Sequence, residues 1–396
     1  MNRNLLLLTL CQGLFLTNNV VFIAINGLVG LELAPVAWMA TLPLSAYVAG
    51  GALSTALVAR HQRRVGRSRA FQVGLLWGIA ATLLCALAAW QRSFSLLLLG
   101  TVLAGYYQAN GSLYRFAAAE LVPPAAREKA ISWVLAGGIL GGVIGPNLAS
   151  ATRTLLPQPF TGAYLSLVAV ALVALLLISL IPFPPMPSAA QAAGGRPLRE
   201  IARQPVFVIA VAAAALAYGV MNLLMAATPI AMAQCSHPFS AAALVLEWHV
   251  LGMFVPSFFT GHLIKRFGTL PIMTMGLLLN LACVAFALSG TDLMHFLGAL
   301  VVLGVGWNFL YIGGTTLLTE AYRPEERTTA QGAMDFWVFA TMTLTSFSSG
   351  ALVTTGGWSA MNLGTLLPLG LLGLALLWLA SHRRASRNLP TPAGGR

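Results

Sequence analysis

Ile181-Pro182-Phe183-Pro184-Pro185-Met186-Pro187, followed by an Ala/Gly-rich stretch to Arg203, is the only long break in an otherwise apolar chain. Four prolines in six residues cannot continue a helix, because each lacks a backbone donor and restricts the residue before it. On either side lie runs of about 20 apolar residues, the length needed to cross a bilayer as helix. Before the break they begin with Leu5 to about Gly27 and continue near 36–58, 71–90, 94–116, 130–151 and 162–182. After it they fall near 205–232, 241–262, 271–289, 294–318, 331–353 and 361–380. The expectation is an all-α membrane protein of twelve transmembrane helices in two six-helix bundles. The bundles are residues 1–183 and 205–396, joined by a linker over 184–204. The first run is too long for a signal peptide and lacks a small-x-small cleavage site, so it reads as a retained first helix.

Composition agrees with a lipid environment. Of 396 residues 58% are hydrophobic and only 8% charged, where a soluble domain carries about a quarter charged. The net charge of +12 is accounted for by topology rather than by nucleic acid. With both termini on one side, nineteen of the 22 Lys and Arg fall in segments on that side. Arg92 and Arg153 fall opposite, and Arg115 near the inner end of the fourth span. Positive residues accumulate on the cytoplasmic side of membrane proteins, so the reading is cytoplasmic termini in a bacterial inner membrane. The four cysteines (Cys11, Cys85, Cys235, Cys283) are scattered singly, with no Cys-x-x-Cys, and suggest neither a zinc site nor a disulfide framework.

The two halves repeat. Glu120 and Arg127 flank the turn after span four, and Glu320 and Arg327 the turn after span ten, each 200 residues on. Tyr107 and Gln108 align with Trp307 and Asn308 at the same offset. The basic turn Arg63-Arg64-Val65-Gly66-Arg67 matches Gly261-His262-Leu263-Ile264-Lys265-Arg266-Phe267-Gly268 at an offset of 202. A six-helix repeat preserves orientation in the membrane, the parallel repeat of carriers that hold substrate near the midplane. These glycine-containing basic turns resemble the signature loop of the major facilitator superfamily, although Arg63 and Lys265 stand where an acidic residue is usual. Gly141-Gly142-Val143-Ile144-Gly145-Pro146 resembles an exporter motif. Gly-rich helices also serve simply as close-packing surfaces.

A pair of soft-donor motifs narrows the resemblance. Met221 and Met225 are four apart in span seven, and His249 and Met253 four apart in span eight, so each pair shares a helix face. Counted from the outer ends of their helices, Met225 and His249 lie roughly 10 and 12 Å deep, and Met221 and Met253 roughly 16 and 18 Å, at 1.5 Å per residue. Thioether and imidazole suit Cu(I). The four residues resemble those of the CcoA-like bacterial copper importers (CalT branch), which supply copper for cytochrome c oxidase assembly. That branch is also similar to riboflavin transporters. The resemblance implies a monomeric alternating-access importer, not an enzyme, with copper as transported substrate and no permanently bound cofactor. Core packing is the plain alternative for the methionines, and an interhelical hydrogen bond for the histidine.

Other polar residues widen the choice. Cys235, at the outer turn between the motifs, is a candidate entry thiolate or an ordinary loop thiol. Glu247 lies about 200° around the helix from His249 and is a candidate for proton movement or a headgroup-level charge. Asp335 reads as a water-facing charge at a helix start. Asn18, Asn19 and Asn26 of span one, and Tyr106, Tyr107, Gln108 and Asn110 of span four, are expected to line a cavity. With Trp307 they equally fit a flat organic solute such as riboflavin. A copper-binding sensor or scaffold is the third reading, against which stands the lack of any soluble output domain in the chain.

Overall fold

The computed structural model describes residues 2–123, 127–184, 195–323 and 326–387. The linker's residues 185–194 and the last nine residues lie outside the described residues. The helices, in order, are α1 (Arg3–Leu33), α2 (Leu42–Trp90), α3 (Phe94–Gly111), α4 (Tyr114–Glu120), α5 (Arg127–Ala136), α6 (Gly138–Thr152), α7 (Thr161–Ser179), α8 (Leu198–Ile201), α9 (Pro205–Gln234), α10 (Phe239–Phe254), α11 (Ser257–Phe267), α12 (Thr269–Ser289), α13 (Leu293–Leu318), α14 (Arg327–Thr355) and α15 (Gly357–Arg387). A three-residue 3₁₀ turn, Ala37–Met39, links α1 to α2.

Among the described residues ten helices are long and apolar enough to cross a membrane, and eleven once α10 and α11, bent by 41°, are taken as one span. The twelfth is α3 with α4. Its Tyr106, Tyr107, Gln108 and Asn110 lower its mean hydropathy below that of its neighbours. The chain is a multi-pass membrane protein of twelve spans in two pseudo-symmetric sets of six.

Local chemistry explains the breaks. Asn2 caps α1 by accepting from the Leu5 amide at 2.8 Å, the usual task of Asn before a helix. The second and third spans run on as one helix interrupted only at Gly66, with φ 83° and ψ 167°. Gly268, its repeat partner, has φ 92° and ψ 161°. Two glycines 202 residues apart thus share a backbone shape that a side chain disfavours. Span eight breaks at Pro256, which cannot donate to the turn behind it. There the Met253 carbonyl is taken up by Asn308 Nδ2 at 2.7 Å, while Thr260 Oγ1 donates to Asn308 Oδ1 at 2.7 Å.

The halves are built alike. In the first, a Cβ on Gly105 would come within 2.3 Å of the Gly50 backbone. In the second, a Cβ on Gly304 would come within 2.5 Å of the His249 carbonyl and 3.1 Å of Gly252. The fourth and tenth spans therefore press backbone to backbone on the second and eighth, through small residues. The exporter-like glycines do the same: a Cβ on Gly141 would meet the Thr17 amide at 2.6 Å, and one on Gly142 would meet Val250 at 2.6 Å. That stretch is a packing surface against α1 and against the opposite half.

Candidate functional site

Among the described residues, several side-chain ties join the halves at the end away from the termini. Thr41 Oγ1 donates to the Ser346 carbonyl at 2.7 Å and accepts from the Gly350 amide at 2.9 Å. Asn147 Nδ2 donates to Glu247 Oε2 at 2.8 Å. Phe239 packs on Phe160 at 5.9 Å between centroids, with the Arg153 guanidinium 5.0 Å from its ring. Glu247 is therefore a tie between α6 and α10, set back from the chain ends.

Further in, one ion pair among the described residues crosses between the halves. Arg115 of α4 meets Asp335 of α14 at 3.5 Å. Around it stands an aromatic group from the second half. Trp307 and Tyr311, one turn apart on α13, are stacked at 5.2 Å with planes 11° apart. Tyr218 of α9 meets both edge-on, at 5.0 and 4.9 Å, and Phe254 of α10 closes on Trp307 at 6.2 Å. The guanidinium of Arg115 also lies beside the Tyr311 hydroxyl. Trp307 is 4% exposed, yet its indole N–H has no partner among the described residues. Buried donors are almost always paired, so this N–H is a donor left over for a water or a polar ligand atom. Flat rings, one cation, one carboxylate and a free indole donor together suit a planar heteroaromatic solute bearing carbonyl acceptors.

The four soft donors all face the protein interior. Met221 and Met225 are each 4% exposed, Met253 6% and His249 0%. His249 is held against α13, its Nδ1 2.6 Å from the Leu300 carbonyl. A carbonyl only accepts, so Nδ1 carries the proton and Nε2 a lone pair. No described group bonds Nε2. Among the described residues no cluster of three His, Cys, Asp or Glu could hold a metal. Cys235 is half-buried at the end of α9.

The amides and tyrosines expected in a cavity mostly serve packing. Asn19 Oδ1 accepts from the Tyr47 hydroxyl at 2.9 Å. Asn26 accepts from that of Tyr164 at 2.5 Å. Asn18 is 5% exposed. Tyr107 is buried edge-on against Phe15 at 5.5 Å, and Tyr106 bonds His61 Nδ1 at 2.8 Å. Gln108 lies against Gly51, where a Cβ would come within 2.6 Å of its Oε1, and Asn110 against Gly74. Of the residues named for a cavity, Trp307 alone belongs to the group between the halves. Asp335, read as a water-facing helix-start charge, is instead half-buried and paired. Tyr218 and Tyr311 were not singled out, although the spacing of Trp307 and Tyr311 by four on one helix face was legible.

The family model of the Major Facilitator Superfamily matches residues 5–246 and 210–395. The chain belongs to that superfamily. It is a secondary transporter, not an enzyme. Of its relatives, the "Riboflavin transporter RfnT" of Brucella anthropi is 41% identical, covering 91% of each chain. The "Uncharacterized MFS-type transporter YddS" of Bacillus subtilis is 28% identical over 82% of this chain and 79% of its own. Among solved structures, nucleoside transporter NupG aligns with a TM-score of 0.72 at 13% identity, covering 96% of this chain and 99% of that one. A bacterial homologue of the human lysosomal transporter Spinster, solved inward-facing and occupied, aligns at 0.69 and 20%, covering 98% of each. These structures share the fold. The finer resemblance to copper importers gains no support from these relatives, and the 41% relative favours the organic-solute alternative.

Proposed function

We propose that the protein carries riboflavin, or a closely similar flat heteroaromatic solute, across a bacterial inner membrane by alternating access, with its termini in the cytoplasm. The observation that carries this reading is the Trp307–Tyr311 stack, with Tyr218 edge-on and Arg115 and Asp335 beside it, between the halves. A three-ring heterocycle slides against such a stack, and its carbonyl oxygens accept from Arg115 and from the free Trp307 N–H. The 41% identity to a riboflavin transporter over 91% of the chain supports the same cargo. Uptake of labelled riboflavin by proteoliposomes, and growth of a riboflavin auxotroph lacking its own carrier, test it. No growth at low riboflavin, with the protein present in the membrane, overturns it.

Copper import remains a second reading, favoured by one observation. The His249 Nε2 lone pair is buried without a partner, on a helix that also buries Met253. Met221, Met225, His249 and Met253 would then pass Cu(I) as transported substrate, for oxidase assembly. Uptake of ⁶⁴Cu that is unchanged by Met225→Leu or His249→Leu at equal protein levels sinks it.

A further inference from the structure

A cavity of about 600 Å³ lies away from the inter-half site, walled by both arms of α2 and by α3. One wall is a stripe on the first arm. Leu53, Leu57, Arg60 and Arg64 follow one another at intervals of four, three and four, which places them on one helix face. Leu53 is 77% exposed and Leu57 58%. Arg60 and Arg64 are also exposed, and none of the ion pairs among the described residues includes either. Trp77 of the second arm forms the facing wall, half its surface open. The floor is fixed by the Tyr106–His61 hydrogen bond, which joins α3 to α2.

The stripe has a direction and a length. It runs from apolar to basic toward the side that carries the termini. From Leu53 to Arg64 is eleven residues, roughly 16 Å of helix. One leaflet of the hydrocarbon core is about half of ~30 Å. An acyl chain laid along Leu53, Leu57 and Trp77 therefore brings its phosphate level with Arg60 and Arg64. Basic residues at that depth attract anionic headgroups, and guanidinium groups bind phosphate oxygens in pairs.

We propose that this groove is a site for one anionic phospholipid of the terminal-side leaflet. Its phosphate sits between Arg60 and Arg64, and an acyl chain lies on Leu53, Leu57 and Trp77. The proposal is independent of the cargo, because its readout is lipid binding.

Native mass spectrometry of the full chain in detergent, titrated with dioleoyl phosphatidylglycerol or dioleoyl phosphatidylcholine, tests it. The expected result is about tenfold tighter binding of the glycerol lipid. Arg60→Gln with Arg64→Gln abolishes that preference, whereas Arg199→Gln, on the linker helix, keeps it. Leu53→Ser with Leu57→Ser weakens binding of both lipids. Equal binding of the two lipids by the native protein overturns the proposal, as does a preference that survives the double arginine change. Displacement of the lipid by inorganic phosphate at equal concentration overturns the phospholipid as occupant.

Discussion

Arg115 and Asp335 face each other at 3.5 Å from opposite halves of the transporter, on α4 and α14, with Tyr218 and Tyr311 beside them. Rocking of the halves must stretch or break this contact, and a charge left without its partner inside a membrane protein is costly. Arg115→Gln or Asp335→Asn alone is expected to lower riboflavin uptake by about three- to tenfold, since the pair is half-buried and solvent screens part of the charge left behind. The double change separates two roles. Thermal stability recovers in Arg115→Gln with Asp335→Asn, since no lone charge remains. Uptake recovers with it only if the pair is purely a tie between halves, and stays low if Arg115 also holds the solute.

The aromatic stack makes a sharper prediction about affinity. Trp307 stacks on Tyr311, and its indole N–H has no partner among the described residues. Stacking of a heterocyclic base on such a ring is worth about 1–3 kcal/mol. Trp307→Leu is therefore expected to raise the KM for riboflavin uptake by roughly tenfold with little change in maximal rate. Trp307→Phe keeps the face and loses the donor, and should fall between. If both variants transport with the native KM, the solute does not sit on this stack.

The architecture was largely legible before any coordinates, because twelve apolar runs and a proline-rich break leave few alternatives in a bilayer. Even so, the first span extends to Leu33 rather than Gly27, and the basic turn after span two is helix on both sides of Gly66. Hydropathy marks where lipid is tolerated, not where hydrogen bonding ends. The site was harder to read. Met221, Met225, His249 and Met253 stood out because their spacing is rare, whereas Tyr218, Tyr311 and Arg115 are ordinary residues that gain meaning only when α4, α9, α13 and α14 converge. The Arg115–Asp335 contact spans 220 residues of sequence, a distance at which no helical periodicity speaks.

The paired glycines give a test of the internal repeat that is independent of cargo. At Gly66 a Cβ would meet nothing within 4 Å, and at Gly268 only Pro271 at 3.7 Å, but both sit at positive φ. The cost of a side chain there is backbone strain, not collision. Gly66→Ala and Gly268→Ala should each destabilise the protein by about 1–3 kcal/mol, because both sit in the extended positive-φ region that is essentially reserved for glycine, read as matching falls in Tm. Gly261→Ala, inside α11 with open space around it, should instead be neutral or stabilising by about 0.5–1 kcal/mol. Unequal losses at Gly66 and Gly268 would argue that the two turns are not mechanical equivalents.

The end of the linker is clamped to the second half. Arg196 donates to Glu326 from its amide at 3.0 Å and from Nε and a terminal nitrogen at 2.8 Å each, and the Arg323 amide adds a fourth bond at 2.9 Å. The Arg196 side chain, and after it the Arg323 amide, hold the Glu326 carboxyl well below the usual carboxylate range. A depressed folded-state value means that the clamp's contribution is complete above the unfolded value, near 4.3, and fades only as acid carries the pH down through the folded value. Hydrogen exchange of the Arg196, Ile201 and Ala202 amides, corrected for intrinsic rate, should therefore be equally slow at pH 7.5 and pH 5.5. Glu326→Gln removes the charge at every pH, so exchange should be faster and equally so at both. Protection that weakens in the native chain between pH 7.5 and 5.5 would mean that a different group holds the linker.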